Sequence, residues 1–331
     1  MRDLNFAIVG FGKMGSIRYN TLKEASGCRV SWICEVAPGV AMPDDVRHTA
    51  HLDDILLDTG VDAIVVCTSN DALKNTVLKG LGHGKHVLCE KPPGRNLAEL
   101  EEMIAAEKNN PKLKLMFGFN HRHHDSMLCA RKMIDSGEYG QVLWLRGRYG
   151  KSVDENFFSN WRAKKEKAGG GIFLDQGIHM LDLFLMMCDD FDEVSAFVSN
   201  LYWKLNIEDN VFAIFRNKKG QVASLHSTMT QWRHLFSFEI FLERGYITIN
   251  GLKTSSNSYG DEIMTVAKNR SLPPAAMWTD EEKQVFHVDT SWKKEMATFV
   301  DAIRLDKPVS VGNTKDAYKL MKLTERIYAN K

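Results

Sequence analysis

The stretch Asn5-Phe-Ala-Ile-Val9 runs directly into Gly10-Phe11-Gly12-Lys13-Met14-Gly15, and a helix-compatible segment follows. Each glycine has its own mechanical task in such a turn. Gly10 permits the sharp exit from the strand, Gly12 lets backbone approach a pyrophosphate, and Gly15 lets the helix pack closely on the sheet. The unsatisfied N–H groups and the dipole at the helix start then face the phosphates. Arg29-Val-Ser-Trp-Ile-Cys34 reads as the next strand and ends at Glu35. That acid stands about twenty residues past Gly15, where a carboxylate accepts from the adenosine ribose hydroxyls. A glycine turn followed by an unrelated surface glutamate is the plainer alternative, but it does not require strand, turn, helix, strand and acid in this order. The reading is a dinucleotide-binding unit.

Working outward, the next segments repeat the same alternation. Strand-like runs at Ala63–Cys67, His86–Cys89 and Leu113–Phe117 are separated by helix-like runs near Ser16–Ala25, His51–Leu57, Asn70–Leu81 and Leu97–Lys108. Apolar, β-branched strands alternating with helices predict a parallel, doubly wound sheet over residues 1–120. Met42–His48 reads as a loop. Beyond His124 the texture changes. A helix at Asp125–Ser136 and a strand at Gln141–Tyr149 lead to a Lys- and Gly-rich stretch ending in Gly169-Gly170-Gly171, then a helix through Met187. Alternating runs at Val194–Lys204, Asn210–Arg216, Gln221–Thr230, Ser237–Leu242 and Tyr246–Asn250 predict a mostly antiparallel sheet. Ser255–Gln284, with Pro273-Pro274, reads as loop, and helices at Trp292–Arg304 and Thr314–Tyr328 close the chain. The expected fold is α/β, with a Rossmann domain over 1–120 and a second α/β domain on a large open sheet over 121–331.

The 331 residues suit two domains rather than one core. Lys plus Arg number 43 against 42 Asp plus Glu, so no broad basic footprint for nucleic acid or a membrane surface exists. No apolar run reads as a membrane span. Met1-Arg2-Asp3-Leu4 leads straight into the first strand, and six cysteines without a Cys-x-x-Cys pair read as reduced thiols. The expectation is a cytoplasmic protein with no signal peptide.

Two further motifs fall after the glycine turn. Glu90-Lys91-Pro92 follows the His86–Cys89 strand, and Asp175-x-Gly177-x-His179-x-x-Asp182 follows the triple glycine. Together with the N-terminal fingerprint, Gly118-Phe-Asn120-His-Arg122 and the closing Phe299–Ile303 helix pattern, they resemble the Gfo/Idh/MocA oxidoreductases, which include glucose–fructose oxidoreductase and inositol dehydrogenase. The resemblance runs along essentially the whole chain. It implies an NAD-dependent Rossmann domain followed by a domain whose open sheet commonly forms a subunit interface. Pro93-Gly94 departs from the family pattern, where an aliphatic residue and an alanine often stand.

Hydride transfer to or from a carbinol also moves a proton, which a positioned acid/base group must handle. Lys91 lies just past the C-terminal end of a parallel strand, the edge where open α/β sheets bind ligands. Its cation favours a developing alkoxide. Asp175 and His179 stand four apart and share a helical face, where a carboxylate orients an imidazole; a capping aspartate and a partly buried histidine would show the same spacing. The resemblance implies Lys91, Asp175 and His179 as the acid/base group, and the residues leave open whether lysine or histidine carries the proton. Asp182 reads as support for the helix face. The resemblance also places Thr68, Ser69, Asn70 and Glu90 along the dinucleotide and Asn120 and Arg122 near the nicotinamide or substrate.

His121, His123, His124 and Asp125 lie too close in sequence to converge on one ion, so no metal is expected. Arg162, Lys164, Lys165 and Lys167, bordered by Trp161, read either as a solvated loop or as a clamp on an anionic substrate. Trp161 and Tyr149 offer stacking surface for a sugar or base. The favoured function is oxidation of a carbinol, or reduction of the ketone, of a sugar, inositol or nucleotide sugar. The alternatives are an enzyme that keeps its NAD and cleaves a glycosidic bond, and a non-catalytic dinucleotide sensor. The open sheet predicts a homodimer or homotetramer.

Overall fold

The computed structural model describes residues 2–268 and 276–329. The chain divides into two compact units, each drawn from several stretches. Unit 1 comprises Met1–Phe119, Glu166–Gly169 and Trp292–Met321; unit 2 comprises Asn120–Lys165, Gly170–Ser291 and Lys322–Lys331. A single cut near residue 120 would place Trp292–Met321 in the second domain, whereas these residues complete the core of the first.

Unit 1 is built on β1 (Leu4–Val9), β2 (Cys28–Cys34), β3 (Arg47–Thr49), β4 (Ala63–Val66), β5 (His86–Glu90) and β6 (Leu115–Gly118). They form one parallel sheet in the order β3-β2-β1-β4-β5-β6. This is the doubly wound order in which ligands bind beyond the carboxyl ends of the strands, where the order reverses. All of β4 is buried, as a strand covered on both faces must be. Helices α1 (Lys13–Lys23), α2 (Leu52–Leu57), α3 (Asn70–Gly82) and α4 (Leu97–Asn109) connect the strands. Asn96 caps α4 by accepting from the Glu99 N–H at 2.9 Å, the usual satisfaction of an orphan N-terminal donor. Phe6, Ile8 and Leu88 share one apolar cluster with Met296, Phe299 and Val300.

In unit 2, α5 (Asp125–Asp135), β7 (Val142–Ser152), α6 (Lys165–Ala168), α7 (Ile178–Cys188), β8 (Glu193–Ser199), β9 (Asn210–Arg216), β10 (Val222–Thr228), β11 (Thr230–Leu242), β12 (Gly245–Asn250), β13 (Glu262–Lys268) and β14 (Glu282–Phe286) follow in chain order, although most of α6 packs with unit 1. The eight strands run β14-β13-β12-β11-β7-β10-β9-β8. Among the described residues of this sheet, only β7 and β10 pair in parallel; the other neighbours are antiparallel. Strand β9 alternates, with Val211, Ala213 and Phe215 buried and Phe212 and Ile214 exposed. The buried side packs under α7, where Gly147 of β7 permits close approach: a Cβ there would lie 2.4 Å from Met180. Helices α8 (Ser291–Arg304) and α9 (Thr314–Ala329) complete the chain.

Several boundaries differ from the sequence reading. Arg47–Thr49 is an edge strand rather than loop, since three largely exposed residues carry no apolar pattern. Within Ser255–Gln284 the chain forms β13 and enters β14; Pro273-Pro274 lies outside the described residues. The run Val194–Lys204 stops pairing at Ser199 because the Asp209 carboxylate accepts from the N–H groups of Leu201, Tyr202 and Trp203. The segment Lys165–Cys188 is long and apolar enough to pass as a membrane span, contrary to the sequence reading. Since 83% of its most apolar window is buried within the structure, it is a core segment.

Candidate functional site

In unit 1 the glycine turn behaves as the sequence requires. Gly10 has φ +90°, and a Cβ would stand 2.7 Å from the Cys67 carbonyl oxygen. A Cβ on Gly15 would meet the Gly10 carbonyl at 2.1 Å. On Gly12, by contrast, a Cβ meets nothing within 4 Å. Two glycines are therefore demanded by the fold, while the space beside the third is open at the start of α1. Helix α1 has no acidic residue in its first turn and no side-chain cap, so its N-terminal donors suit an anion.

Glu35 follows β2 and faces this turn. Its carboxylate accepts from Phe11 N–H at 2.6 Å and from Ala37 N–H at 2.8 Å. A carboxylate has about four acceptor positions, so ribose hydroxyls can share it. Lys13 is exposed and Met14 half-buried. After β4, Thr68 Oγ1 donates to Ser69 O, and Ser69 Oγ donates to Asp71 at 2.6 Å. Asn70 Nδ2 donates to Ala168 O at 2.8 Å.

Glu90 ends β5, and Lys91, joined to Pro92 by a cis peptide, follows it half-buried. The buried Glu90 carboxylate binds Arg18 of α1, with Nε 2.7 Å and Nη2 2.6 Å from Oε1. Arg18 Nη1 lies 2.6 Å from Oε2 of Glu295 on α8. Burial opposes the Arg18 charge, but Glu295 and Glu90 outweigh it and hold the guanidinium above its ordinary range. Burial pushes the Glu295 carboxyl up to about 7. Sequence reading missed Arg18, since a basic residue in a helix carries no signal of its burial.

In unit 2, Asp175 lies in a π-helical turn, Phe173–Gly177, that leads into α7. Such turns recur at functional sites. Its Oδ2 accepts from Lys151 Nζ at 2.6 Å, and its Oδ1 lies 3.4 Å from Arg162 Nε. Lys151 is the last residue but one of β7, and nothing in its sequence neighbourhood marks it. His179 is buried and stacks on His121, with ring centroids 3.8 Å apart and planes at 18°. His121 reaches the Tyr149 hydroxyl at 2.9 Å and Asn120 Oδ1 at 3.1 Å. Asn120 Nδ2 in turn donates to Ser291 Oγ. Burial, with Tyr259 beside it, pushes the Tyr149 phenol well above its ordinary value. Tyr149 is 3% exposed, so the face expected to stack on a sugar is covered.

The Arg122 guanidinium forms a buried fork to Asp182, with Nε 2.7 Å and Nη2 2.6 Å from the carboxylate oxygens. That pairing gives Asp182 its supporting place. Trp161 stacks under Arg162 at 4.4 Å, while Lys164, Lys165 and Lys167 are exposed. Among the described residues, no group of three or more His, Cys, Asp or Glu side chains could hold a metal ion.

These features define a dinucleotide-binding unit, followed by a second unit that holds Asp175 and the buried His179. The oxidoreductase family's NAD-binding Rossmann domain matches residues 4–119, and the Gfo/Idh/MocA C-terminal domain matches residues 127–248. The chain belongs to the Gfo/Idh/MocA family and is an NAD-binding oxidoreductase. It is similar to levoglucosan dehydrogenase of Pseudarthrobacter phenanthrenivorans, 26% identical over 76% of this chain and 74% of that one. It is also similar to inositol 2-dehydrogenase of Salmonella typhimurium, 30% identical over 44% of this chain and 46% of that enzyme. This second alignment spans about half of that enzyme's length. A solved levoglucosan dehydrogenase holding NADH and levoglucosan shares the fold, with a TM-score of 0.85 at 22% identity over 99% of this chain and 97% of that one.

Proposed function

We propose that the protein transfers a hydride between NAD and a carbinol or ketone carbon of a sugar or polyol derivative. The observation that carries this reading is the glycine turn, in which Gly10 and Gly15 are demanded by the fold while Gly12 faces open space. NAD supplies the hydride acceptor; the chain's own residues hold the dinucleotide and manage the proton. Gly10–Gly15 and Glu35 hold pyrophosphate and ribose, with Thr68, Ser69 and Asn70 after β4 along the same sheet edge. Unit 1 thus takes the dinucleotide role and unit 2 the substrate role.

Lys91, Asp175 and His179 are assigned as the acid/base group. Lys91 follows the carboxyl end of β5, as a residue acting on a ligand of a doubly wound sheet does. Lys91 or His179 receives or returns the substrate proton, and the His179 ring lies stacked on His121. Asp175 is paired with two cations, Lys151 and Arg162. The levoglucosan and inositol dehydrogenases named above motivate sugars and cyclic polyols as the substrate class.

We also propose a homodimer or homotetramer, supported by Phe197, Phe212 and Ile214, which are 77%, 51% and 56% exposed on one sheet. Six free cysteines fit a reducing compartment such as the cytoplasm. The functional test is a screen of sugars, anhydrosugars, inositols, uronates and nucleotide sugars with NAD, following NADH absorbance. Net NADH formation with a sugar-class compound is expected. Product formation without net NADH would overturn the reading in favour of transient oxidation, and NAD binding with no turnover of any class would favour a sensor.

A further inference from the structure

The cations around Asp175 are arranged more closely than a solvated loop requires. Lys151 Nζ sits 2.6 Å from Oδ2 and 5.4 Å from the Phe157 ring centroid, with its side chain only 14% exposed. Arg162 approaches Oδ1 at 3.4 Å through Nε while its guanidinium carbon lies 4.4 Å above the Trp161 ring. Each cation is thus held by an aromatic face and by the shared carboxylate. Aromatic faces attract cations without neutralising them.

The charges do not cancel. Two cations meet one carboxylate, so the trio of Lys151, Arg162 and Asp175 carries one net positive charge. The acids nearest in sequence do not supply the balance. Asp154 and Glu155 are exposed, Asp154 accepts from Asn156 N–H, and Glu166 is exposed. The buried Glu208 accepts from the Tyr328 hydroxyl and from the Phe173 N–H. Asp182 pairs with Arg122. Donor capacity is in surplus as well: a guanidinium carries five N–H donors and an ammonium three, far more than Asp175 can accept.

We propose that Lys151 and Arg162 form a receptor for a single carboxylate on the substrate, so that this enzyme acts on an acidic sugar of the uronate type. The proposal rests on the sugar-oxidoreductase reading and names the substrate class of that same site. A monoanion balances the cluster, whereas a phosphate near neutral pH carries close to two charges and overfills it. The flat Arg162 fork also matches a carboxylate better than a hydroxyl. Asp175 keeps both cations in place in the absence of substrate.

The test uses the full-length protein with glucuronate, galacturonate, glucose 6-phosphate and glucose. Binding is followed by calorimetry in the presence of NADH, and turnover is followed separately with NAD. A uronate should bind at least about tenfold more tightly than glucose and than the sugar phosphate, a difference that corresponds to about 1.4 kcal/mol. Arg162→Gln should remove that preference by raising the uronate KM about tenfold with a smaller change in kcat, and Arg162→Lys should restore part of it. Lys151→Met provides the second arm should the Arg162 variant unfold. Equal binding of glucose and uronate, or a uronate preference unchanged in both variants, overturns the receptor while leaving the dehydrogenase reading standing if neutral sugars still reduce NAD. Preference for the sugar phosphate overturns the carboxylate assignment.

Discussion

Replacing Gly10 and Gly12 by alanine, one at a time, separates the fold's needs from those of the cofactor. At Gly10 the φ of +90° alone costs an L-residue about 1–2 kcal/mol. The new Cβ would also stand 2.7 Å from a backbone oxygen, closer than any real contact, and the Cys67 carbonyl cannot swing away without disturbing β4. A total loss of about 2–4 kcal/mol follows, within the range for strain at a special backbone position. At Gly12 the backbone has φ −72° and ψ −161°, which alanine adopts freely, and the new methyl meets nothing. Loss of unfolded-state freedom offsets the weaker cap, so the ligand-free stability should hold to within about 0.5 kcal/mol. The methyl does, however, fill the space assigned to the pyrophosphate, and NAD affinity should fall at least about tenfold. Differential scanning calorimetry with and without NAD reads both effects, since ligand raises stability as RT ln(1 + [L]/Kd). The wild type should gain stability with NAD, Gly12→Ala should start level and gain little, and Gly10→Ala should start several degrees lower. A Gly12→Ala protein that keeps the full NAD-dependent rise would refute the placement of the pyrophosphate.

Other outcomes follow from the same geometry. Glu35 presents negative charge beside the turn, so NAD should be preferred over NADP in kcat/KM; equal efficiency with both would count against its ribose role. Lys91→Ala and His179→Ala should each lower kcat by about 10²–10⁴ with NAD affinity nearly unchanged, and near wild-type turnover in single-turnover assays removes the role from that residue. Phe212→Lys on the exposed face of β9 should lower the oligomeric mass seen by light scattering; a wild type already monomeric at micromolar concentration defeats the assembly proposal. Neutralising the exposed Lys164 and Lys165 together should raise KM for an acidic sugar at low salt and leave it unchanged at high salt. A KM indifferent to the double change at low salt leaves these lysines without a guiding role.

The Rossmann half was legible because its strands are short apolar runs closed by glycines and acids, and tertiary packing did not have to override them. What escaped had little apolar signal. β3 is three residues with no buried side chain, and the outer strand β14 reads Glu282-Lys-Gln-Val-Phe286 with four exposed positions. Edge strands tolerate charge because one side of each lacks a partner. In the second unit the motif Asp175-x-x-x-His179 was visible, but its surroundings were not. The π-helical turn, the His121 stack and Lys151 all depend on contacts between residues far apart in sequence. Arg162 lay within a visible basic run; its pairing with Asp175, which separates it from the exposed lysines beside it, was decided only by folding.

The cofactor unit is assembled from chain ends that meet late. Its core joins Phe6 and Ile8 to Met296, Phe299 and Val300, and Arg304 donates to the Gly27 carbonyl across 277 residues of sequence. A nascent chain leaving the ribosome therefore exposes the glycine turn long before α8 arrives to cover the apolar side of its sheet. During that interval Arg18 has Glu90 within reach but not Glu295, and the cluster stays open to water. Unit 2 must be synthesised almost entirely within this gap, which ties the maturation of the dinucleotide seat to completion of the second unit.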